Sequence, residues 1–189
     1  MAKILNIEVD AMGGEGSPKK TIDGIIHHSK TTKNVNYNIF GNEKEIKDLI
    51  KDLGKNSFKV FDTIDQILDT DSPLMAARKG KNSSMWKAIE SVKARESDII
   101  ISAGNTGALF VIAKMNLEMI ENIDKPALSA LWPNKFGMNV VLDLGANIEC
   151  SEKNLTDFAI MGSSLFKSLF PKEQPKVALL NIGSEDIKG

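Results

Sequence analysis

Four short stretches gather the residues best suited to chemistry, and each follows an apolar run. They read DAMGGEGSP (10–18), SAGNTGA (102–108), GANIECS (145–151) and GSEDIKG (183–189). Turn-forming residues explain any one of them. Four at the same ends of strands point to one shared, backbone-lined site, because open α/β sheets bind ligands beyond the carboxyl ends of their strands. In SAGNTGA, Gly104 and Gly107 lack side chains and so let a ligand approach the backbone. The N–H groups of residues 105–108 would open a helix, where unpaired donors and the positive dipole end favour an anion. Asn105 and Thr106 add side-chain hydrogen bonds. A tight turn with a helix cap explains the same letters.

A fifth stretch, ARKGKNSSMW (77–86), places Arg78, Lys79 and Lys81 ahead of Ser83 and Ser84 at a helix start. Cations, hydroxyls and a helix N-terminus suit a phosphate or a phosphopantetheine arm. A solvated charge run before a serine cap fits equally well. The familiar phosphate motifs are absent. Pro18 stands where a P-loop needs its second glycine, and GEGSPK lacks the third glycine of a dinucleotide fingerprint. There is no G-x-S-x-G elbow and no histidine beside a plausible serine nucleophile. His27 and His28 fall on a helix over 18–32 and are expected to be a partly exposed pair without a catalytic role. With no cysteine pair beside them they make a poor zinc site, and no metal is expected.

The elements that must position these residues alternate. KILNIEV (3–9), VNYNIFG (35–41), FKVF (58–61), DIIIS (98–102), ALSAL (127–131), MNVVLDL (138–144) and KVALLNI (176–182) read as strands. Their apolar runs are taken as continuous, the signature of a sheet covered on both faces. Helices lie between them. One begins with Ser17 as cap and Pro18 as first residue and buries Ile22, Ile25 and Ile26. Another is capped by Asn42 with Glu45, carries Ile46, Leu49, Ile50 and Leu53, and stops at Gly54. A third carries Met85, Ala88, Ile89 and Val92 after a polar region over 69–84. The helix over 106–120 is apolar almost all round and is expected to be buried. Ser151 caps the last helix. Strand–helix alternation gives an α/β fold with a mostly parallel sheet, read as one domain over 1–189.

Composition sets outer bounds. The 189 residues are 42% hydrophobic and 26% charged, with a net charge of −1, enough apolar mass for a core and too little basic excess for a nucleic-acid binder. No apolar run approaches the ~20 residues of a membrane span. Asn6, Glu8 and Asp10 interrupt the N-terminus too early for a signal peptide, so a cytoplasmic location is expected. Cys150, the one cysteine, cannot form an intramolecular disulfide and is expected to be a buried small residue. The last strand opens a helix at Ser184 and the chain ends at Gly189, as expected of the N-terminal portion of a longer protein.

DAMGG, KNSSM, SAGNTGAL, LDLGAN, MGS and LLNIGSEDIKG stand in an order and spacing that resembles the bacterial phosphate acyltransferases of phospholipid synthesis. The resemblance runs from Asp10 to Gly189. It implies a Rossmann-like three-layer α/β/α fold akin to phosphotransacetylases and isocitrate-dehydrogenase-type enzymes. The implied reaction turns acyl-[acyl carrier protein] and inorganic phosphate into acyl phosphate and free carrier protein. No cofactor is implied beyond the carrier's own phosphopantetheine. Further implications are a homodimer, loose membrane association through a segment beyond Gly189, and cooperation with the downstream membrane glycerol-phosphate acyltransferase.

The resemblance makes Lys188 the catalytic cation, with Asn105, Thr106 and Asn181 lining the phosphate and carbonyl pocket. Asp10, Gly13 and Gly14 would shape its floor, and Asp143, Gly145 and Asn147 would complete it. Gly104, Gly107, Gly183 and Glu185 belong to the same corners, and Arg78, Lys81, Ser83 and Ser84 would steer phosphate or the phosphopantetheine arm. Glu15 and Glu149 stand where the family usually has aspartate, and Gly80 interrupts a fuller basic run. Two other readings share these letters: a non-catalytic phosphate- or carrier-binding fragment, and a dehydrogenase of the same broad fold.

Overall fold

The computed structural model describes residues 3–51, 58–147 and 149–180. The sequence suggests one α/β domain; residue packing groups the chain into two compact units, Met1–Glu118 and Met119–Gly189.

The first unit runs β1 (Leu5–Asp10), α1 (Lys19–Thr31), β2 (Val35–Gly41), α2 (Glu43–Ile50), β3 (Phe58–Asp62), α3 (Pro73–Lys79), a 3-10 turn (Gly80–Asn82), α4 (Ser84–Lys93), β4 (Ile99–Ser102) and α5 (Thr106–Asn116). The four strands form one parallel sheet in the order β3-β2-β1-β4. Helices cover both faces. Ile7 and Val9 of β1 pack with Ile22, Ile25, Ile39 and Ile46 on the side of α1 and α2. On the other side Ala76, Met85, Trp86, Ile89, Ala108 and Ile112 join α3, α4 and α5 into a second core. This is the three-layer α/β/α arrangement expected from the sequence.

The strands are not uniformly apolar, however. Asn6, Glu8 and Asp10 alternate with Ile7 and Val9, and Glu8 and Asp10 are buried all the same. Neighbours bond them in part: Glu8 Oε1 accepts from Asn38 Nδ2 at 2.8 Å and Ser91 Oγ at 2.9 Å, whereas its Oε2 is buried without a partner. A covered sheet therefore carries a polar row on β1.

Several helix boundaries differ from expectation. Pro18, not Ser17, occupies the cap of α1; the Ser17 hydroxyl donates to Gly13 O instead. Asn42 and Ser83 do cap α2 and α4, accepting from Glu45 N and Trp86 N. The polar region over 69–84 contains α3, whose Ala76 and Ala77 are buried. The α5 helix ends at Asn116 and is half-exposed: Ala108, Ile112 and Asn116 form its buried stripe, while Lys114 and Met115 face outward. Gly54, the expected stop of α2, lies outside the described residues, as does Leu53.

In the second unit β5 (Ser129–Asn134) and β6 (Gly137–Leu142) form an antiparallel hairpin, so the expected turn at 133–137 tightens to Lys135 and Phe136. Helix α6 (Glu152–Leu169) begins with a reciprocal cap between Ser151 and Asn154. It packs so closely on β6 that a Cβ at Gly162 would lie 2.8 Å from Leu142 Cδ1. Residues 176–180, expected to begin a strand over 176–182, form none, and Val177, Leu179 and Leu180 are exposed. An apolar run needs a neighbouring strand to pair its backbone, and none of the described strands pairs with it. Residues 181–182 lie outside the described residues.

Candidate functional site

Adjacent parallel strands held in register finish at the same level. Asp10 pairs with Ser102 across β1 and β4, so the loops that follow these strands meet. The chain leaves β1 toward β2 on one side and enters β4 on the other, which makes the β1–β4 crevice a topological switch point, the usual ligand position in such sheets.

The glycines there serve a different purpose from the one expected. A Cβ on Gly13 would lie 2.6 Å from Asp10 Oδ2 and 2.8 Å from Gly104 N; one on Gly104 would lie 3.0 Å from Gly13 Cα. Gly14, at φ +88°, would meet Ala103 O at 2.6 Å. Gly107 makes room for Pro73 at the start of α3, at 2.6 Å. The bare backbone at Gly104 and Gly107 thus lets protein pack on protein, where the sequence reading had a ligand approach.

Beneath the crossing loops lies a bonded carboxylate. Asp10 is 1% exposed. Its Oδ1 accepts from Ser84 Oγ at 2.5 Å and from Met12 N at 3.3 Å. Its Oδ2 accepts from Ser102 Oγ at 2.7 Å, and that hydroxyl accepts from Gly104 N at 3.1 Å. Asp10, expected to shape a pocket floor, thus ties β1 to α4 and to the end of β4. Ser83 and Ser84 are buried too, one capping α4 and the other bonding Asp10, so neither hydroxyl is placed to steer a ligand. Arg78, Lys79 and Lys81 are exposed instead, and none forms an ion pair among the described residues. The stretch that looked like one basic hydroxyl cluster splits into outward cations and inward hydroxyls.

Asn105 is likewise committed. Its Oδ1 caps α5 by accepting from Ala108 N at 3.0 Å, and its Nδ2 donates to the carbonyls of Leu68, Asp69 and Asp71 at 3.2, 3.2 and 2.8 Å. Both ends of the amide expected to be catalytic are thus engaged within the protein. What the corner still offers is backbone. Ala108 N–H is taken by the cap, whereas Thr106 and Gly107 lie in the first turn, where N–H groups have no acceptor within the helix. Thr106 also exposes its side chain.

The third corner lies in the second unit and closes on itself. Asp143, at φ +59°, accepts from Asn147 N at 3.2 Å and Asn147 Nδ2 at 2.9 Å. Asn147 Nδ2 also donates to Pro126 O at 3.0 Å, and Gly145 turns the chain at φ +84°. Cys150 is half-buried and its Sγ lies 3.4 Å from Asp143 Oδ2. Burial pushes its thiol above the ordinary range, and the adjacent carboxylate adds to the effect. The fourth corner, with Asn181, Gly183, Glu185 and Lys188, lies outside the described residues.

The sequence reading passed over Ser102 and Glu8. Both had a signal: the N-I-E-V-D alternation of β1, and a serine ending an isoleucine run beside it. Among the described residues no cluster of His, Cys, Asp or Glu could hold a metal, and no helix is long and apolar enough to cross a membrane.

A parallel sheet covered by helices, with glycine corners crossing at its switch point, defines a Rossmann-like α/β/α protein. The likeness to solved structures agrees. A phosphotransacetylase from Streptococcus pyogenes superposes with a TM-score of 0.67 at 16% identity, over 96% of this chain and 60% of that one. The EutD phosphotransacetylase from Staphylococcus aureus gives 0.56 at 14% identity, over 88% and 54%. At such identities the likeness concerns the fold. Sequence takes the assignment further: residues 5–189 match the fatty acid synthesis protein family, and the chain belongs to it. It is 67% identical over its whole length to a phosphate acyltransferase of Pelagibacter ubique, 44% to one of Ehrlichia ruminantium and 41% to one of Maricaulis maris. The chain spans 57%, 56% and 55% of those relatives.

Proposed function

We propose that the protein carrying this chain is a phosphate acyltransferase of phospholipid synthesis, making acyl phosphate from acyl-[acyl carrier protein] and inorganic phosphate. The observation that carries this reading is the 67% identity, along all 189 residues, to a relative named for that activity. The glycine corner supports it chemically. A phosphate oxygen is nucleophilic enough to attack a thioester carbonyl unaided, so the protein has to hold the two together and steady the oxyanion that forms.

Thr106 and Gly107 N–H groups, at the positive end of α5, suit a phosphate or that oxyanion. Asn105 keeps the helix end in place. The oxyanion then collapses, the C–S bond breaks, and the departing thiolate of the carrier's phosphopantetheine takes up a proton. Lys188 is our candidate for stabilising or protonating it. The reaction uses no cofactor of the enzyme's own. In the same reading the protein is a cytoplasmic homodimer with peripheral membrane contact, and it passes its product to a membrane glycerol-phosphate acyltransferase.

Incubating the full-length protein with acyl carrier thioester, phosphate and hydroxylamine is expected to give a hydroxamate whose yield rises with phosphate. A yield independent of phosphate rejects the assignment. Lys188→Met is expected to lower kcat with the carrier KM little changed, and an unaltered kcat removes Lys188 from the mechanism.

A further inference from the structure

We propose that Ser102, through a hydroxyl that bonds both glycine corners, is a positioning residue for phosphate. This rests on the acyltransferase reading above and assigns a role to a side chain that reading leaves idle. The Ser102 hydroxyl donates to the buried Asp10 carboxylate at 2.7 Å and accepts from the Gly104 amide at 3.1 Å. One oxygen therefore ties the end of β1 to the loop leading into α5. Gly13 and Gly104 then touch backbone to backbone. Two and three residues past Gly104 come the amides of Thr106 and Gly107, whose direction follows from how that loop is held.

The same strand supplies an internal control. Ser91 also gives its hydroxyl to a carboxylate buried on β1, Glu8, at 2.9 Å, with Glu96 Oε2 a more distant second acceptor at 3.3 Å. Losing it removes a comparable bond to a buried acid, but the bond lies away from the loop end of the strand. Both serines hold the fold; Ser102 alone of the two also aims the amides.

The test compares Ser102→Ala with Ser91→Ala in the full-length protein, using melting temperature and steady-state hydroxamate formation with phosphate and acyl carrier thioester varied separately. Both variants are expected to melt a few degrees lower. Ser102→Ala is expected to raise the phosphate KM roughly tenfold or more, the scale of a lost hydrogen bond to a charged group. Its thioester KM should stay unchanged, Ser91→Ala should keep the wild-type phosphate KM, and Ser102→Thr, which retains the hydroxyl, should restore it.

Equal phosphate KM values for Ser102→Ala and Ser91→Ala, whether both raised or both normal, overturn the proposal. Should Ser102→Ala fail to fold, Ser102→Cys leaves a weaker donor and acceptor in place. It is expected to give an intermediate phosphate KM, and a wild-type value overturns the proposal. If the unsubstituted protein forms no phosphate-dependent hydroxamate, the acyltransferase reading falls and takes the proposal with it, an outcome distinct from the other two.

Discussion

The corner at Asp10 and the corner at Asp143 look alike on paper, each an aspartate followed closely by glycine after an apolar strand. In three dimensions they are built on different principles. Asp10 collects its partners from distant parts of the chain, Ser84 and Ser102, and its neighbouring glycines are pressed against Ala103 and Gly104. Asp143 closes on Asn147 and Cys150, a turn further along, and a Cβ on Gly145 would meet nothing within 4 Å. One corner is a joint between two strands and exists only once the sheet is assembled. The other is a local turn that its own residues can specify.

The sharpest way to break this comparison is alanine at both glycines. Gly13→Ala forces a methyl into the Gly104 backbone and is expected to cost about 3 kcal/mol, as overpacking of a tight contact does. Gly145→Ala meets open space and suffers only from its positive φ, for about 1 kcal/mol. Chemical denaturation of the two variants measures the gap, and equal losses would erase the distinction between joint and turn.

Asn105→Ala is expected to have the next largest effect. It removes a helix cap worth about 1 kcal/mol and also releases the carbonyls of Leu68, Asp69 and Asp71. Hydrogen exchange should therefore rise over 68–71 as well as at Ala108. Faster exchange at Ala108 alone would mean that the loop is held by something else.

The smallest effect concerns Cys150. Its thiol is raised by burial and further by the Asp143 carboxylate, so less thiolate forms at a given pH than at a free cysteine. Alkylation at mildly alkaline pH is expected to be slower than for a free thiol. Asp143→Asn, which deletes the negative charge, should lower the thiol's pKa and speed the reaction a few-fold, the direction charge removal requires. An unchanged rate would leave burial as the only cause.

Periodicity and capping chemistry in the sequence were enough to find most elements. Asn42, Ser83 and Ser151 stand at the caps their types predict, and the strands before the 10–18 and 102–108 stretches lie side by side. Interpretation failed where a residue's meaning depends on what lies across from it. A glycine shows in the sequence only that a side chain is missing; that Gly104 faces Gly13, and Gly107 faces Pro73, belongs to the assembled fold. Asn105 offers an amide on paper, but loop 68–71 consumes it. The α3 helix escaped notice because seven residues hold too few turns for a periodic pattern, although Ser72 and Pro73 mark its start. Glu8 and Asp10 read as interruptions of a greasy segment until Ser91 and Ser84 supply their partners.

Those last two bonds also fasten a helix. Ser84 and Ser91 sit about two turns apart on α4, and each plugs into its own acid on the central strand. Oily surfaces tolerate slippage, because one methyl substitutes for another; a two-pin socket does not, since sliding α4 along β1 would break both bonds at once and leave each buried acid one donor short. Strand and helix should therefore detach together, with their amides opening to solvent in a single cooperative step.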